Sequence, residues 1–463
     1  MVVKSRRLII FYFTLLLLAA LIGGVVIFFS FGGEEKIIIR ADSDLGAPVQ
    51  AVGITLGITY DSSKDYTETI DVLSKLRPAS WRIGTAGVYD FAVNKARFPQ
   101  KYNTSITLVI QDIFNEKYGY PVIVGDCTDP KAWGEYTVCF ATFEELKKTW
   151  SAFVDSTMKY VVASNLIINY YDIFPEGARG WESGITQEQQ LELFKIAHNI
   201  IRKYIPEAKI VVPSTADYDK DLLAAYLLYA ERNNLRIDAL SWHEFRTPKI
   251  IPGHVEEIKK FISSRVYFCN PTCPEIHINE YAPPETSFGA GPVVAWNYYL
   301  EKAGVEQSNR ACWDTPEGWS TCWAGFNGLL LEDDTTPTHL YWVYKWLADT
   351  KGYKRLDSYS TTNDRVVALA RKDDSLKELR IIVGRYGNRN GRVQLKIENY
   401  PYGSDKVGIL IEQIPDNENL VSALNNPTQV SAYEDIVTSG TINVGLTNFK
   451  NREAYLITIQ AIP

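Results

Sequence analysis

The chain has 463 residues, which is too long for one small domain and suits a barrel of about 250 to 300 residues with a further domain. The hydrophobic fraction of 46% and the charged fraction of 22% are ordinary for a globular protein, and the net charge of -7 disfavours nucleic acid as a partner. The 11 tryptophans and 28 tyrosines can stack on sugar rings, although most are expected to fill a large core.

The N-terminal segment predicts a membrane anchor. Lys4, Arg6 and Arg7 precede an uncharged run from Leu8 to Phe31, which is long enough to span a bilayer. Basic residues on its N-terminal side predict a cytoplasmic N-terminus. A cleaved signal peptide, which would leave the main body secreted, is the alternative. We therefore expect a single-pass protein of the cell membrane whose main body, after residue 36, is extracellular.

Six cysteines agree with export to an oxidising compartment. Sequence proximity favours three local disulfides, Cys127 with Cys139, Cys269 with Cys273, and Cys312 with Cys322, although 15 pairings are formally open. A metal site built from Cys269, Cys273 and His277 is the competing interpretation. Zinc motifs usually bring a second ligand pair at similar spacing, which is not visible here, so we expect no metal and no cofactor.

Short β-prone runs alternate with amphipathic helical segments from about residue 48 to 350. The predicted strands are 52–60, 80–84, 107–112, 167–174, 209–213, 238–243, 275–281 and a weaker run at 311–313. The predicted helices are 64–76, 143–162, 188–204, 220–233 and 255–263. Thr142 and Thr186 open two of these helices with capping-box patterns. Eight strand–helix units predict an α/β fold of the (β/α)8 barrel type.

After Gly352 the pattern changes to short alternating runs separated by Gly, Asn and Asp turns. These runs predict a β-sandwich of about a hundred residues, to which the apolar strand from Lys36 to Arg40 adds an edge. The expected organisation is therefore a tail and anchor at 1–36, a barrel at 37–350 and a sandwich at 351–463. Residues 37–46 are counted with the barrel, and a strand of the sandwich is the alternative assignment for them.

Two of the β-prone runs deliver a glutamate to their C-terminal ends. The run from Ile167 ends at Glu176, and the run from Pro274 ends at Glu280, where two prolines stop it. Barrel enzymes place catalytic groups at these strand ends, so the two carboxylates are predicted to converge and to cleave a glycosidic bond. Strict alternation on the second run puts His277 and Asn279 on the face opposite Glu280.

With its elements in this order, the chain resembles a retaining glycoside hydrolase of clan A, most closely glycoside hydrolase family 39, the family of β-xylosidases and α-L-iduronidases. The likeness covers residues 48 to 463. Its most specific piece, Phe326 to Leu347, is similar to the family's glycine-leucine turn before the last barrel helix. The resemblance implies double-displacement hydrolysis of O-glycosidic bonds in oligosaccharides or polysaccharides, as cell-envelope or environmental glycans.

The resemblance also assigns the catalytic pair. The run from Tyr171 to Pro175 matches the family sequence before its acid/base, which makes Glu176 the expected acid/base. Glu280 matches the nucleophile at the end of strand seven. A retaining mechanism needs these two carboxyl groups about 5 to 5.5 Å apart, one ionised and one protonated.

Five further positions are implied to hold the nucleophile or to contact the substrate. Arg82 resembles the clan's arginine that keeps the nucleophile ionised, and Trp313 corresponds to the tryptophan under the sugar ring. His243 and Glu244 at the end of strand six, with Tyr281 beside the nucleophile, are expected to face the reacting sugar.

The chain departs from the family pattern beside Glu176. The family has Asn-Glu-Pro, in which the asparagine binds the sugar 2-hydroxyl, whereas this chain has Pro175-Glu176-Gly177. Proline has no side-chain donor, so either Asn169 or His243 supplies this contact, or the substrate differs at C2, or the site has lost its chemistry. Glu182 and Glu244 are rival acid/base candidates. The alternative function is therefore a non-catalytic carbohydrate-binding or cell-surface scaffold protein that keeps the barrel.

Overall fold

The computed structural model describes residues 34–48, 53–55, 67–84, 104–110, 122–125, 127, 138–173, 182–183, 185–311, 328–362, 365–387, 390–416 and 423–462. The anchor predicted from Leu8 to Phe31 lies outside these ranges. Within them, no helix is both long enough and apolar enough to cross a membrane.

The strands follow one another in two blocks, the first of which is interrupted by helices. They are β1 Glu35–Arg40, β2 Gly53–Thr55, β3 Ser80–Ile83, β4 Ser105–Ile110, β5 Val122–Val124, β6 Val138–Phe140, β7 Tyr170–Ile173, β8 Glu182–Ser183, β9 Lys209–Thr215, β10 Ala239–Glu244, β11 Glu275–Tyr281, β12 Gln307–Arg310, β13 Lys354–Ser360, β14 Val366–Asp373, β15 Glu378–Arg385, β16 Gly391–Glu398, β17 Lys406–Ile414, β18 Thr428–Ile436, β19 Ile442–Phe449 and β20 Ala454–Ala461.

The α-helices lie among the strands of the first block. They are α1 Thr67–Ser74, α2 Phe143–Ala163, α3 Gln187–Tyr204, α4 Lys220–Asn233, α5 Ile251–Ser263, α6 Pro284–Ser287, α7 Ala290–Ala303 and α8 His339–Asp349. Both predicted N-caps form, and the box at Thr186 is complete because Gln189 also bonds back to the Thr186 amide. Apolar residues at helical spacing, such as Phe194, Ala197 and Ile201 of α3, are buried against the barrel.

Eight strands close into a parallel barrel in the order β2-β3-β4-β7-β9-β10-β11-β12. This confirms the predicted barrel, and the strand positions agree for seven of the eight. The shorter strands β5, β6 and β8 form a separate three-stranded parallel sheet.

The eighth strand was predicted in the wrong place. The structure puts it at Gln307–Arg310 rather than at 311–313. Its inward residues are polar. The side-chain amide of Gln307 donates to Thr107 Oγ1 at 3.0 Å, and the side-chain amide of Asn309 donates to the Ile54 carbonyl at 3.0 Å. A strand that faces a polar barrel interior carries no hydrophobic alternation, which is the signal that sequence patterns rely on.

The C-terminal block forms a nine-stranded sheet in the order β18-β17-β20-β15-β14-β13-β1-β16-β19. Strand β13 joins its two halves, because residues 354–356 pair with β14 and residues 357–360 pair with β1. Apolar side chains from both halves form one core, so the predicted sandwich is a single sheet bent at β13. Strand β1 lies inside this sheet, between β13 and β16, and not at its edge.

Helix α7 packs between the barrel and the nine-stranded sheet. It is buried over most of its length, so it has no polar face, and the sequence patterns did not predict it. Gly291 in its first turn is required by close packing, since a Cβ there would lie 2.0 Å from the Arg385 carbonyl oxygen of β15. At the other end of α7, Glu301 forms a buried ion pair with Arg371 of β14.

Candidate active site

The C-terminal ends of the barrel strands bring Arg82 of β3 and Glu280 of β11 together. Arg82 Nη1 donates to Glu280 Oε1 at 2.9 Å, and the two side chains are 5% and 15% exposed. The pair therefore lies at the mouth of the barrel, where Glu280 keeps some solvent access. The predicted contact between the arginine and the candidate nucleophile is present.

A β-bulge on β11 aims Glu280 into the barrel. Trp242 of β10 pairs with Ile278, but the next residue, His243, pairs with Glu280, so Asn279 is an extra residue in β11. Asn279 and Glu280 consequently both reach the interior network, through Asp172 and Arg82 respectively. The expectation that Asn279 faces away from Glu280 was wrong, because a bulge interrupts the alternation.

Asp172 of β7 is a second carboxylate on the same guanidinium, and the sequence reasoning missed it. Arg82 Nε donates to Asp172 Oδ2 at 3.0 Å, and the Asp172 side chain is fully buried. Ser214 donates to Asp172 Oδ1, and the Asn279 amide donates to Asp172 Oδ2 at 2.9 Å. Ser241 extends this network to β10. Asp172 lies two residues after Tyr170 on the same strand, so the two side chains share the inward face. This spacing is the sequence signal that could have identified Asp172 as an inward-facing residue.

His243 lies where the sequence placed it. It is 1% exposed, and its position on β10 pairs directly with Glu280 on β11. Its ring also makes an edge contact with Phe245, with 5.6 Å between the ring centres. Since Ser241, two residues earlier, faces the barrel interior, His243 is on the same face and adjoins the nucleophile position.

Glu244 was predicted to contact the sugar, and the structure contradicts this. Its Oε1 accepts from Trp242 Nε1 at 2.7 Å and lies 2.7 Å from His254 Nδ1 of α5, and the side chain is 2% exposed. Glu244 therefore faces the helical layer, where it supports the end of β10.

Tyr281 is likewise not a substrate contact. The side chain is fully buried, its hydroxyl lies 2.7 Å from the hydroxyl of Tyr344 on α8, and its ring packs against Trp296 of α7. Burial, with the neighbouring Tyr344 hydroxyl, raises its pKa well above the ordinary value. The bulge that turns Glu280 inward leaves Tyr281 facing outward.

The opposite end of the barrel holds His277. Its Nε2 lies 3.0 Å from Glu275 Oε2, and Tyr170 and Lys209 complete the cluster. Burial alone would raise the pKa of Glu275, but the bonds from His277 and Tyr170, with the charge of Lys209, lower it to about 2. His277 is thus a fully buried histidine that is held by its contact with Glu275.

Two of the three predicted disulfides are confirmed, Cys127–Cys139 and Cys269–Cys273. The second bond overturns the alternative metal site, because its two thiols are not available as ligands. Cys312 and Cys322 lie outside the residues that the structure describes, so their pairing stays a prediction.

Glu176, with Pro175 and Gly177 around it, and Trp313 also lie outside the described residues. The acid/base assignment, the 5 to 5.5 Å separation and the sugar-stacking role remain predictions. The backbone of Glu182 belongs to β8, which is a strand of the separate three-stranded sheet and not of the barrel.

The similarity of the chain to known proteins lies in its structure. No family model and no curated protein matches the chain. Among solved structures, N2152 from Neocallimastix frontalis superposes with a TM-score of 0.70 at 17% identity, covering 93% of this chain and all of that one. A glucosidase from Croceicoccus marinus gives 0.65 at 12% identity, with the same coverages. The glycoside hydrolase family 39 enzyme of Xanthomonas axonopodis pv. citri gives 0.61 at 13%, covering 93% and 98%.

The fold is that of the clan A glycoside hydrolases. The similarity to these glycoside hydrolase structures extends over both the barrel and the nine-stranded sheet, because the superpositions cover more than nine-tenths of the chain. The fold resemblance inferred from the sequence is confirmed. At these identities the superposition establishes the fold, and the chemistry rests on the residues at the mouth.

Proposed function

We propose that the chain is a retaining glycoside hydrolase in which Glu280 is the nucleophile and Glu176 the acid/base. The observation that carries this proposal is the Arg82–Glu280 ion pair at the mouth of the barrel. A nucleophilic carboxylate has to be ionised, and a guanidinium at hydrogen-bond distance favours that state. The fold, shared with glycosidases, agrees with the assignment.

In the first step, a Glu280 oxygen attacks the anomeric carbon while the bond to the leaving-group oxygen breaks, and Glu176 gives its proton to that oxygen. In the second step, Glu176 removes a proton from water, the water oxygen bonds to the anomeric carbon, and the Glu280 ester bond breaks. Both carboxyl groups return to their starting states, so no cofactor is consumed.

Asp172 gives Arg82 a fixed orientation during both steps. It holds Nε while Nη1 is directed at Glu280, and its own oxygens are fixed by Ser214 and Asn279. Preorganised charge of this kind costs no reorganisation during the reaction.

The proposed substrates are oligosaccharides or polysaccharides outside the cell. Two structural neighbours are described as a β-xylosidase and an endoxylanase, which supports a carbohydrate substrate without fixing the sugar. The uncharged run from Leu8 to Phe31 and the two disulfides support a membrane-anchored enzyme whose barrel is extracellular.

The test uses a panel of 4-nitrophenyl glycosides with the full chain, Glu280→Gln and Glu176→Gln. Glu280→Gln is expected to lose turnover by at least about 1000-fold, because an amide cannot form the glycosyl ester. Glu176→Gln is expected to keep cleaving activated aryl glycosides, with azide restoring turnover. Glu257→Gln, at an exposed ion pair on α5, is the control and should retain full activity.

Full turnover by Glu280→Gln with unchanged circular dichroism would overturn the assignment. Sugar binding by the unsubstituted chain, with no hydrolysis of any glycoside in the panel, would favour the scaffold function instead.

A further inference from the structure

The chain enters the nine-stranded sheet at one end of its strands. Glu35 starts β1 beside Val393 of β16, and its carboxylate accepts from Arg385 at the end of β15 at 3.0 Å. The amide of Thr361, just after β13, donates to the Lys36 carbonyl at 2.9 Å. We call this end of the sheet the entry end.

The mouth of the barrel lies beside the entry end. Arg452, just before β20, donates through Nη1 to the Glu285 carbonyl at 2.9 Å, and Glu285 follows the mouth end of β11. The Gly291 amide donates to the Arg452 carbonyl at 2.7 Å. From there α7 runs away from the mouth to Glu301, which pairs with Arg371 toward the other end of β14. The barrel and the sheet strands therefore run side by side.

The described chain finishes at the opposite end of the sheet. The amide of Ile462 donates to the Lys406 carbonyl at 3.1 Å. Lys406 starts β17, whose other end, Ile414, pairs with Ala454 at the entry end. A strand of 8 residues such as β14 separates the two ends by about 26 Å.

The predicted membrane segment connects to the entry end over a short distance. It finishes at Phe31, and β1 begins at Glu35. Even a fully extended backbone between these two residues spans only about 14 Å. A membrane segment at Leu8 to Phe31 therefore leaves little distance between the bilayer and the entry end.

The charge of the entry end suits an anionic lipid surface. The exposed charged side chains that the structure describes at this end of the sheet are four basic and one acidic, namely Lys36, Arg365, Arg392, Lys450 and Glu34. Basic residues next to a membrane segment are attracted to anionic headgroups.

We propose that the entry end rests on the membrane and that the mouth of the barrel is held on the membrane-facing side of the protein. This inference rests on the proposed membrane anchor and extends the proposed function. The substrates it favours are sugars carried close to the bilayer surface, such as glycolipid headgroups, rather than polymers held far from it.

Fluorescence energy transfer tests this orientation directly. Arg246→Cys labels the mouth, because Arg246 follows β10 and its side chain is 71% exposed, and Asp405→Cys labels an exposed site at the far end. Each full chain carries a donor dye in vesicles of phosphatidylcholine and phosphatidylserine with an acceptor lipid. The unsubstituted chain controls for dye on native cysteines. Donor quenching is expected to be at least about twofold stronger at residue 246 than at residue 405.

A matched rearranged chain carries the segment 1–33 after residue 462, so that the far end is anchored. The order of quenching should then reverse. Equal quenching at the two sites in the native arrangement, the opposite order, or failure of the full chain to float with vesicles would each overturn the inference.

The energy-transfer result is independent of catalysis, since Glu280→Gln should show the same order of quenching. A chain that hydrolyses glycosides but gives the reverse order retains its proposed function and loses this orientation. A chain that gives the expected order of quenching but hydrolyses no glycoside keeps this orientation and loses its proposed function.

Discussion

Arg82 and Asp172 form an ion pair inside the barrel, with 3.0 Å between Nε and Oδ2 and with side chains only 5% and 0% exposed. The same guanidinium donates Nη1 to Glu280 at 2.9 Å. Two carboxylates from strands β7 and β11 therefore share one cation, although only Glu280 retains solvent access. This arrangement separates a positioning carboxylate from a reacting one.

Asp172→Asn is expected to destabilise the fold by about 3 kcal/mol, since removing one charge of a buried pair leaves the other poorly compensated. Equilibrium urea unfolding measures the effect. Glu257→Gln breaks the half-exposed pair with Lys220 and should cost less than about 1 kcal/mol. Similar small changes in both variants would contradict the structural role of Asp172.

Arg82→Lys is expected to lower kcat/KM by about 100-fold, because an ammonium group cannot present the planar fork that reaches Asp172 and Glu280 at once. Steady-state kinetics on the best aryl glycoside measures this change. The comparison variant is Arg265→Lys, whose side chain is 47% exposed and lies before the start of β11, away from the mouth, so kcat/KM should be unchanged. An Arg82→Lys variant with wild-type kinetics would show that the shared guanidinium is not needed.

His339 at the start of α8 makes stability depend on pH. Burial, with a smaller effect of the charges of Arg310 and Arg452, lowers its pKa to about 4, although its bond to the Phe288 carbonyl partly opposes this shift. The folded protein thus binds this proton more weakly than the unfolded chain does, so stability is full above about pH 6.5 and falls as the pH drops toward 4.

The expected loss in unfolding free energy from His339 over this range is about 3 kcal/mol. His339→Gln keeps a donor for the Phe288 carbonyl but does not titrate, so its unfolding free energy should fall less between pH 7 and pH 4. Urea unfolding at several pH values gives both curves. Parallel curves for the two proteins would rule out this contribution.

Gly291→Ala is expected to destabilise the protein by at least about 2 kcal/mol. A Cβ would lie 2.0 Å from the Arg385 carbonyl oxygen and 2.5 Å from that of Glu453, both backbone atoms of the adjoining sheet. This outweighs the gain of about 1 kcal/mol that alanine brings to a helix.

Gly253→Ala in the first turn of α5 is the matched control, because nothing lies within 4 Å of its added Cβ. It should raise the thermal midpoint slightly, whereas Gly291→Ala lowers it. If Gly291→Ala also raised the midpoint, the close packing of α7 on the sheet would be refuted.

The sequence alone determined the features that depend on neighbouring residues. Period-two and helical patterns gave the barrel, α4 was predicted at its observed bounds, and cysteine proximity gave both described disulfides. These patterns suffice because strand alternation, helix faces and short disulfide loops involve residues close in the chain.

Only the tertiary structure decided which side chains meet at the mouth. The bulge at Asn279 turns Glu280 inward and leaves Tyr281 outside, while Glu244 is captured by Trp242 and His254. Asp172 reaches Arg82 across 90 residues of sequence, and β1 inserts beside β13, more than 300 residues away. Such contacts are selected by the packing of the whole barrel and sheet, which local periodicity does not encode, because a single inserted residue in one strand changes the face of every side chain that follows it.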